Sequence, residues 1–472
     1  MAITGSPAVI VKEQDLSSFV SADSVTTGAV VGDFEWGPAE SITKITSEGN
    51  LIQYFGYPHD WNYKDWFTAK NYLQYSSSLA VVRCVNKFAL NATDNAGLGV
   101  LIENDNKFEE ELPSIPSNVK IIARYPGVMG NSLRVCMLNK TGLAEQLDAI
   151  KNAKKVIENG VYVYKTTDGA SIPVNKVLNY IPNLRSLGNN EIVVLVLRTN
   201  NDGTEDILEY GTYSTVDGST DTSGYTNYLF KHFNNNSNWI YLVEKNWNLN
   251  DVINVNCMLS GGVTPNLDSE DYLDKKIAIH TDSKTGDWIT YESYPTTVAE
   301  LKDETKTEFE VFRTQLKDEF ANEIRSAIYN AWDLFRNEET EESQVQLLMQ
   351  GGGDREVGEY IIQLAESRKD CLACVSPEMD EVVNKKSADA VATLINGTGA
   401  YYSGSSYAFM DGNYKYQYDN YNDVYRWMPL NGDIAGIMAQ IDNEEEPWMS
   451  PGGKVIKNCV KLAFHPTKAE RD

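Results

Sequence analysis

The sequence predicts a mixed α/β (α+β) protein of more than one domain, and three observations carry that prediction. The chain has 472 residues, whereas a single domain usually holds about 100–200. Its first half alternates short apolar runs with turn signals, a strand-rich pattern. Past residue 344 the order becomes strand, helix, strand, helix, as in an α/β unit. Hydrophobic residues make up 42% and charged residues 23%, which is ordinary globular usage and excludes a wholly disordered chain.

Taken in order, the first strand candidate is Ala8 to Lys12. Gly28 to Phe34 is the next, closed by a turn at Trp36-Gly37-Pro38. Trp66, Phe67, Ala69 and Leu73 fall on one helical face of Asp65 to Leu73, and a strand follows at Leu79 to Val85. Residues 91–118 are polar and acidic and close in Pro113 and Pro116, an exposed connection. Val119 to Tyr125 precedes a turn at Pro126-Gly127. The run Ile192 to Leu197 is apolar throughout, as expected of a strand covered on both faces. Residues 200–237 are rich in Asn, Asp, Gly, Ser and Thr and predict loops and edge hairpins.

The second half begins with a polar stretch, 264–295, and a capping box at Thr297-Val298-Ala299-Glu300. Apolar residues then recur at helical spacing from Val298 to Phe335. Unbroken, that helix spans about 57 Å, so a break near Thr305 is expected. Val345 to Met349 is a strand, Gly351-Gly352-Gly353 a turn, Val357 to Ala365 a helix and Cys371 to Val375 a strand. Another helix covers 387–396. Tyr407 to Met410 and Tyr414 to Tyr418 flank Asp411-Gly412-Asn413, a hairpin signal, and Asp433 to Ile441 is a last helix.

The charge balance excludes partners. Forty-one basic residues against 67 acidic ones give a net charge of −26, the wrong sign for nucleic acid or an anionic membrane surface. No apolar run reaches the roughly 18 residues of a membrane span. Met1 to Pro7 lacks the basic and apolar regions of a signal peptide. The six cysteines are spread widely and sit among apolar neighbours, so they read as reduced core thiols.

Catalytic chemistry finds little support, and no catalytic, cofactor-binding or metal-binding residue is assigned. The four histidines lie far apart. Cys371-Leu372-Ala373-Cys374 has redox spacing but lies in an apolar strand, where two core thiols are expected. Gly351-Gly352-Gly353-Asp354 between strand and helix is the one phosphate-loop candidate. It lacks the Gly-Lys-Ser/Thr ending, and Asp354 would repel phosphate, so a tight turn is the better reading. Tyr414, Tyr416 and Tyr418 share one strand face, with Lys415 and Gln417 opposite, and the tyrosine face is expected to pack on a helix or subunit.

The ordered motifs point elsewhere. Asp411-Gly412-Asn413-Tyr414 through Asp423, Arg426-Trp427, and Pro447-Trp448-Met449-Ser450-Pro451-Gly452-Gly453 resemble the tail sheath proteins of T4-type contractile-tailed bacteriophages. So do Ala331-Trp332-Asp333, Tyr125-Pro126-Gly127 and Phe34-Glu35-Trp36-Gly37-Pro38, in the family's order. The resemblance implies that Trp36, Gly37, Pro38, Pro126, Gly127, Trp332, Asp411, Gly412, Tyr414, Arg426, Trp427, Trp448, Pro451 and Gly452 are core or assembly positions. It further implies a structural subunit without cofactor, stacked in six-membered rings of identical copies around a tail tube protein. Baseplate and tail terminator proteins would be further partners, and neither nucleic acid nor a membrane would be one. Contraction would drive the tube through the host envelope. The chain would be made in the host cytoplasm and end in the virion. A secretion-system or pyocin-like sheath is the alternative.

The same resemblance sets domain expectations. Residues 1–23 with 320–472 would form an inner α/β domain, and 24–90 with 119–263 an outer β-rich domain. Residues 91–118 would be the acidic connection, and 264–319 an insertion holding the start of the long helix. The family continues past Ala469-Glu470-Arg471-Asp472, in strands that join neighbouring subunits. A truncated and largely monomeric form is the expectation.

Overall fold

The computed structural model describes residues 25–95, 98–158, 161–181, 184–200, 202–264, 279–281, 288–290, 322–337, 343–396, 401–446 and 448–471. The expected strand at Ala8 to Lys12, the capping box at Thr297 and the expected break near Thr305 lie outside them. So does nearly all of 264–319, where only the short pair β12 (Ile279–Thr281) and β13 (Trp288–Thr290) is described.

The first architectural unit is built from both ends of the described chain. Strands β1 (Gly28–Gly32), β2 (Ile42–Ile45), β3 (Leu79–Arg83), β14 (Leu347–Met349), β15 (Leu372–Val375) and β16 (Ala408–Met410) form one sheet in the order β16-β15-β14-β1-β3-β2. All pairs are parallel except β2 with β3. Parallel strands buried on both faces need continuous apolar sequence. β1 and β3, Gly-Ala-Val-Val-Gly and Leu-Ala-Val-Val-Arg, are buried at every position. Ala29, Val31, Ala80, Val82 and Leu348 face one core with the helices 322–333 and Arg355–Arg368. Val30, Val81, Leu347 and Met349 face the other, with the helices Glu48–Phe55, Tyr63–Leu73 and Asn431–Glu444.

The second unit is an antiparallel sheet of β5 (Leu133–Asn139), β8 (Glu191–Thr199), β9 (Glu205–Ser214) and β11 (Asn254–Met258), in the order β11-β5-β8-β9. β8 is covered on both faces, as its unbroken apolar run predicts. Ile192, Val194 and Val196 meet the helix Leu229–Asn236, β4 (Ile121–Ala123) and β10 (Ile240–Leu242). Val193, Leu195 and Leu197 meet a layer made by residues 140–187. That layer holds the hairpin β6 (Lys154–Glu158) and β7 (Val161–Lys165).

Three expectations need correction. Residues 24–90 do not group with 119–263, because β1 and β3 hydrogen-bond along their length with each other and β1 with β14, placing them inside the α/β unit. Residues 91–118 are not a mere exposed connection. The helix Asp105–Glu111 buries Phe108 flat against Tyr241 at 4.1 Å between ring centroids, and Ile102 and Ile115 join that cluster. Finally, Asp411-Gly412-Asn413 is no hairpin turn. β16 pairs with β15, whereas β17 (Tyr414–Asp419) pairs antiparallel with β18 (Val424–Pro429) and β19 (Lys461–Leu462). The motif is where the chain passes from one sheet to the other.

Candidate functional site

Ligands of doubly wound sheets bind outside the carboxyl ends of the strands, where neighbouring strands send their helices to opposite faces. That point lies here between β1 and β14. A cleft opens there, lined by Asp33, Asp65, Asp354, Glu378 and Asp380 against only Lys64 and Arg325, and the chain's own groups already engage its glycine turn. Asp65, near the start of the helix Tyr63–Leu73, accepts the Gly352 N–H through Oδ1 at 2.6 Å. Asp354 caps the helix Arg355–Arg368, accepting from Val357 N–H at 2.9 Å. A Cβ on Gly352 would stand 2.4 Å from Lys64 Cβ. The glycine turn is therefore packed against this chain's own carboxylate, where a phosphate loop would hold its anion. Burial pushes the Asp65 carboxyl up to about 6, held back chiefly by the Gly352 amide. It pushes neighbouring Asp33 up to about 8 against the pull of Arg83.

Behind this turn, polar side chains lock loop to loop. Gln350 Nε2 donates to the carbonyls of Gly353 and Asp354 at 2.8 and 2.9 Å, and its Oε1 accepts Ser376 N–H. Asn431 Nδ2 donates to Gly351 O at 3.0 Å and to Ser376 Oγ at 2.9 Å. Ser376 Oγ in turn donates to Asp411 Oδ2 at 2.5 Å. Burial pushes Asp411 up to about 7, and the serine holds it lower than burial alone would. Tyr414 donates its hydroxyl to Pro377 O at 2.8 Å. Asp411 and Tyr414 thus anchor the sheet crossing, while a Cβ on Gly412 would meet only Leu394 at 3.5 Å, an ordinary contact.

The N-terminal motifs converge on a residue the sequence reading passed over. Arg83, at the end of β3 and 1% exposed, donates to Phe34 O, Glu35 O and Gly37 O at 2.7, 3.3 and 2.9 Å. Its remaining bond goes to Pro126 O at 2.7 Å. One guanidinium joins the turn at Trp36-Gly37-Pro38 to the turn at Pro126-Gly127, one in each unit. Gly37 and Gly127 have φ of 103° and 140°, which side chains rarely tolerate. Trp36 itself reaches into the antiparallel unit, stacked at 6.0 Å on Trp239 and edge-on to Tyr125 at 5.3 Å. The available signal was a charged residue inside Val81-Val82-Arg83-Cys84-Val85.

The other motif residues divide between core and surface. Trp332 is fully buried against Phe335. Arg426 bridges Asp60 and Asp419, with Nε 2.9 Å from Asp419 Oδ2, and lies over the Tyr63 ring at 4.8 Å. Trp427 packs on Tyr416 at 4.8 Å. Trp448 is 80% exposed, and Pro451 and Gly452 lie beside it on the surface. On β17 both faces are engaged: Tyr414 is buried and Tyr416 half-buried on the tyrosine face. Lys415, Gln417 and Asp419 are buried and Tyr418 is exposed. Lys415 Nζ donates to Asp433 Oδ1 at 2.8 Å inside the protein, and Tyr75 donates to the same oxygen at 3.2 Å. Cys374 is buried in β15 with its thiol pushed up to about 12 by burial, a core thiol as expected. Among the described residues no cluster of three or more His, Cys, Asp or Glu side chains could hold a metal ion.

Comparison with known proteins falls on the same framework. Residues 344–472 match the model of the phage tail sheath protein central domain, and 26–84 match that of the Gp18 domain III N-terminal region of tail sheath protein. These two stretches are the ones that build the six-stranded sheet. The tail sheath protein of Enterobacteria phage T4 is 28% identical over 99% of this chain and 78% of its own length. That of Vibrio phage KVP40 is 26% identical over the same shares. Along nearly its whole length this chain is similar to phage tail sheath proteins. A third relative, the tail sheath protein of Salmonella phage ViI, is 24% identical over 98% of this chain and 75% of its own length. Among solved structures, the sheath tail protein of Listeria innocua has 9% identity and a TM-score of 0.44, covering 94% of this chain and 62% of that one. The Desulfitobacterium hafniense sheath tail protein has 10% identity and a TM-score of 0.42, over 99% and 69%.

Proposed function

We propose that this chain is the structural subunit of a contractile phage tail sheath, without catalytic activity. Copies stack in six-membered rings around a tail tube, contact baseplate and tail terminator proteins, and change their packing to drive the tube through the host envelope during genome ejection. Assembly takes place in the host cytoplasm. The observation that carries this reading is the agreement of sequence and fold: two family matches 260 positions apart in the chain meet in one sheet. Relatives from three phages favour a phage tail over a secretion-system sheath. The acidic lining of the cleft, and the Gly352 amide already bonded to Asp65, argue against the nucleotide-binding alternative at Gly351 to Gly353.

Gold-labelled antibody against this chain, applied to virions carrying its gene, should decorate the tail along its length in negative stain. Label confined to the capsid, or absent from tails, overturns the proposal. Millimolar ATP or GTP should leave the melting temperature unchanged, since a ligand bound only by the folded state raises it.

A further inference from the structure

The second unit carries two unpaired strand edges of opposite charge. β9 is the outer strand of its sheet. Among the described residues only its last position, Ser214, has a bridge on the open side, to Tyr228. Its exposed side chains include Ile207 at 48% and Tyr210 at 66%. Residues 200–225, which contain it, hold six carboxylates and no Lys or Arg. Glu205 and Glu209 are engaged internally, Glu205 with Arg134, Lys176 and Tyr180, Glu209 with Ser237 and His232. Asp206 stands at the surface beside Arg198 and Asn200, and Asp202, Asp217 and Asp221 are exposed in the turns before and after β9.

β6 is the other edge. Among the described residues it pairs with β7 on one side only, in a sheet of two strands. A two-stranded hairpin has marginal stability by itself. Four of its five residues, Lys154, Lys155, Ile157 and Glu158, are exposed, with Ile157 at 64%. The layer around it, residues 139–187, holds seven Lys or Arg against four Asp or Glu, in a chain whose net charge is −26.

We propose that β6 of one copy adds to the open edge of β9 of the next. Backbone groups left unpaired on both edges would satisfy one another. Ile157 would be covered by Ile207 and Tyr210, and Lys154, on the opposite face of β6, would meet Asp206, with Lys155 adding its charge to the same edge. Lysines on an edge ordinarily block pairing, but opposite a carboxylate edge the same charges select the partner. The contact joins two different surfaces, so repetition yields rings or filaments rather than a closed pair. This inference rests on the sheath reading for its partner, a second copy of the chain, and adds a contact outside the six-stranded sheet.

The test uses the whole chain in two single variants, Ile157→Cys and Ile207→Cys, with folding checked by circular dichroism. Mixed under mild oxidation, they should give a cross-linked dimer at least several-fold above either variant alone. Lys154→Glu with Lys155→Glu, placed in the Ile157→Cys chain, should remove that product, and Asp206→Lys in the partner should restore it. Equal yield from mixed and single variants overturns the contact, as does indifference to both charge reversals. Tails that label with antibody while the mixed variants fail to cross-link would sink this contact and leave the sheath reading standing. Cross-linking without tail label would do the opposite.

Discussion

Arg83 shows how one side chain can hold two units together. Its four bonds end on four carbonyls, three in the turn after β1 and one at Pro126. Burial lowers its guanidinium to about 10, still cationic at neutral pH. Lysine keeps the charge but not the planar fork, and each buried carbonyl left without a donor costs about 1–3 kcal/mol. Arg83→Lys should therefore destabilise the chain by at least about 3 kcal/mol in urea unfolding. An effect below about 1 kcal/mol would show that water replaces the bonds. The neighbouring carboxyls give a pH dependence of defined sign. Asp33 and Asp65, raised to about 8 and about 6, hold protons in the folded chain that the unfolded chain has released near 3.8. Their protonated forms favour the fold most fully below about pH 4, and that contribution is lost as pH rises through 6 and 8. Melting temperature should fall between pH 5 and pH 8, and Asp33→Asn should flatten the fall. A curve that rises over that range, or an Asp33→Asn curve parallel to the parent, would contradict the assignment.

At the scale of elements, the helices Asn431–Glu444 and Tyr63–Leu73 approach closely because Gly432 and Gly436 present no side chain. A Cβ on Gly432 would stand 2.6 Å from Thr68 O, and one on Gly436 2.6 Å from the Tyr75 ring. Gly432→Ala should cost about 1–3 kcal/mol, the usual effect of overpacking; Gly49→Ala, where only Ser47 Oγ lies within 4 Å, should cost far less. Equal melting temperatures for the two variants would refute close approach as the reason for Gly432. The α/β character of the second half was legible because apolar runs such as Leu347 to Met349 and Cys371 to Val375 leave few alternatives. The β17 faces were not, since period-two alternation shows that two faces differ without showing which is inside. There Lys415, Gln417 and Asp419 are buried because Asp433, in the following helix, and Arg426, in the paired strand β18, supply partners to the two charged ones. The crevice was half legible: the glycine turn stood out, but Asp65, nearly 290 positions away, could not be matched to it.

The whole molecule is one α/β unit interrupted by an antiparallel one. The sequence revealed both materials and missed the way they are joined, since strand order in a parallel sheet leaves no periodic trace. β1 meets β14 across more than 300 positions, and Trp36 belongs by chain to one unit and by packing to the other. A protein so divided should not unfold as two independent halves. Chemical denaturation followed by fluorescence and by circular dichroism should give coincident midpoints; two separated transitions would mean that the Arg83 joint is weaker than its bonds suggest.

The interleaved strand order also dictates a timetable. On the ribosome β1 and β3 emerge early, yet β14, the neighbour of β1, is made some 264 residues after β3 ends at Arg83. At about 5–20 residues per second that is a wait of roughly 15–50 s. The antiparallel unit, whose strands all lie between residues 121 and 258, is complete well before then. The inserted unit is thus born finished, while the older-looking frame around it stays open, its buried apolar strands unshielded, until β14 and the elements after it are made.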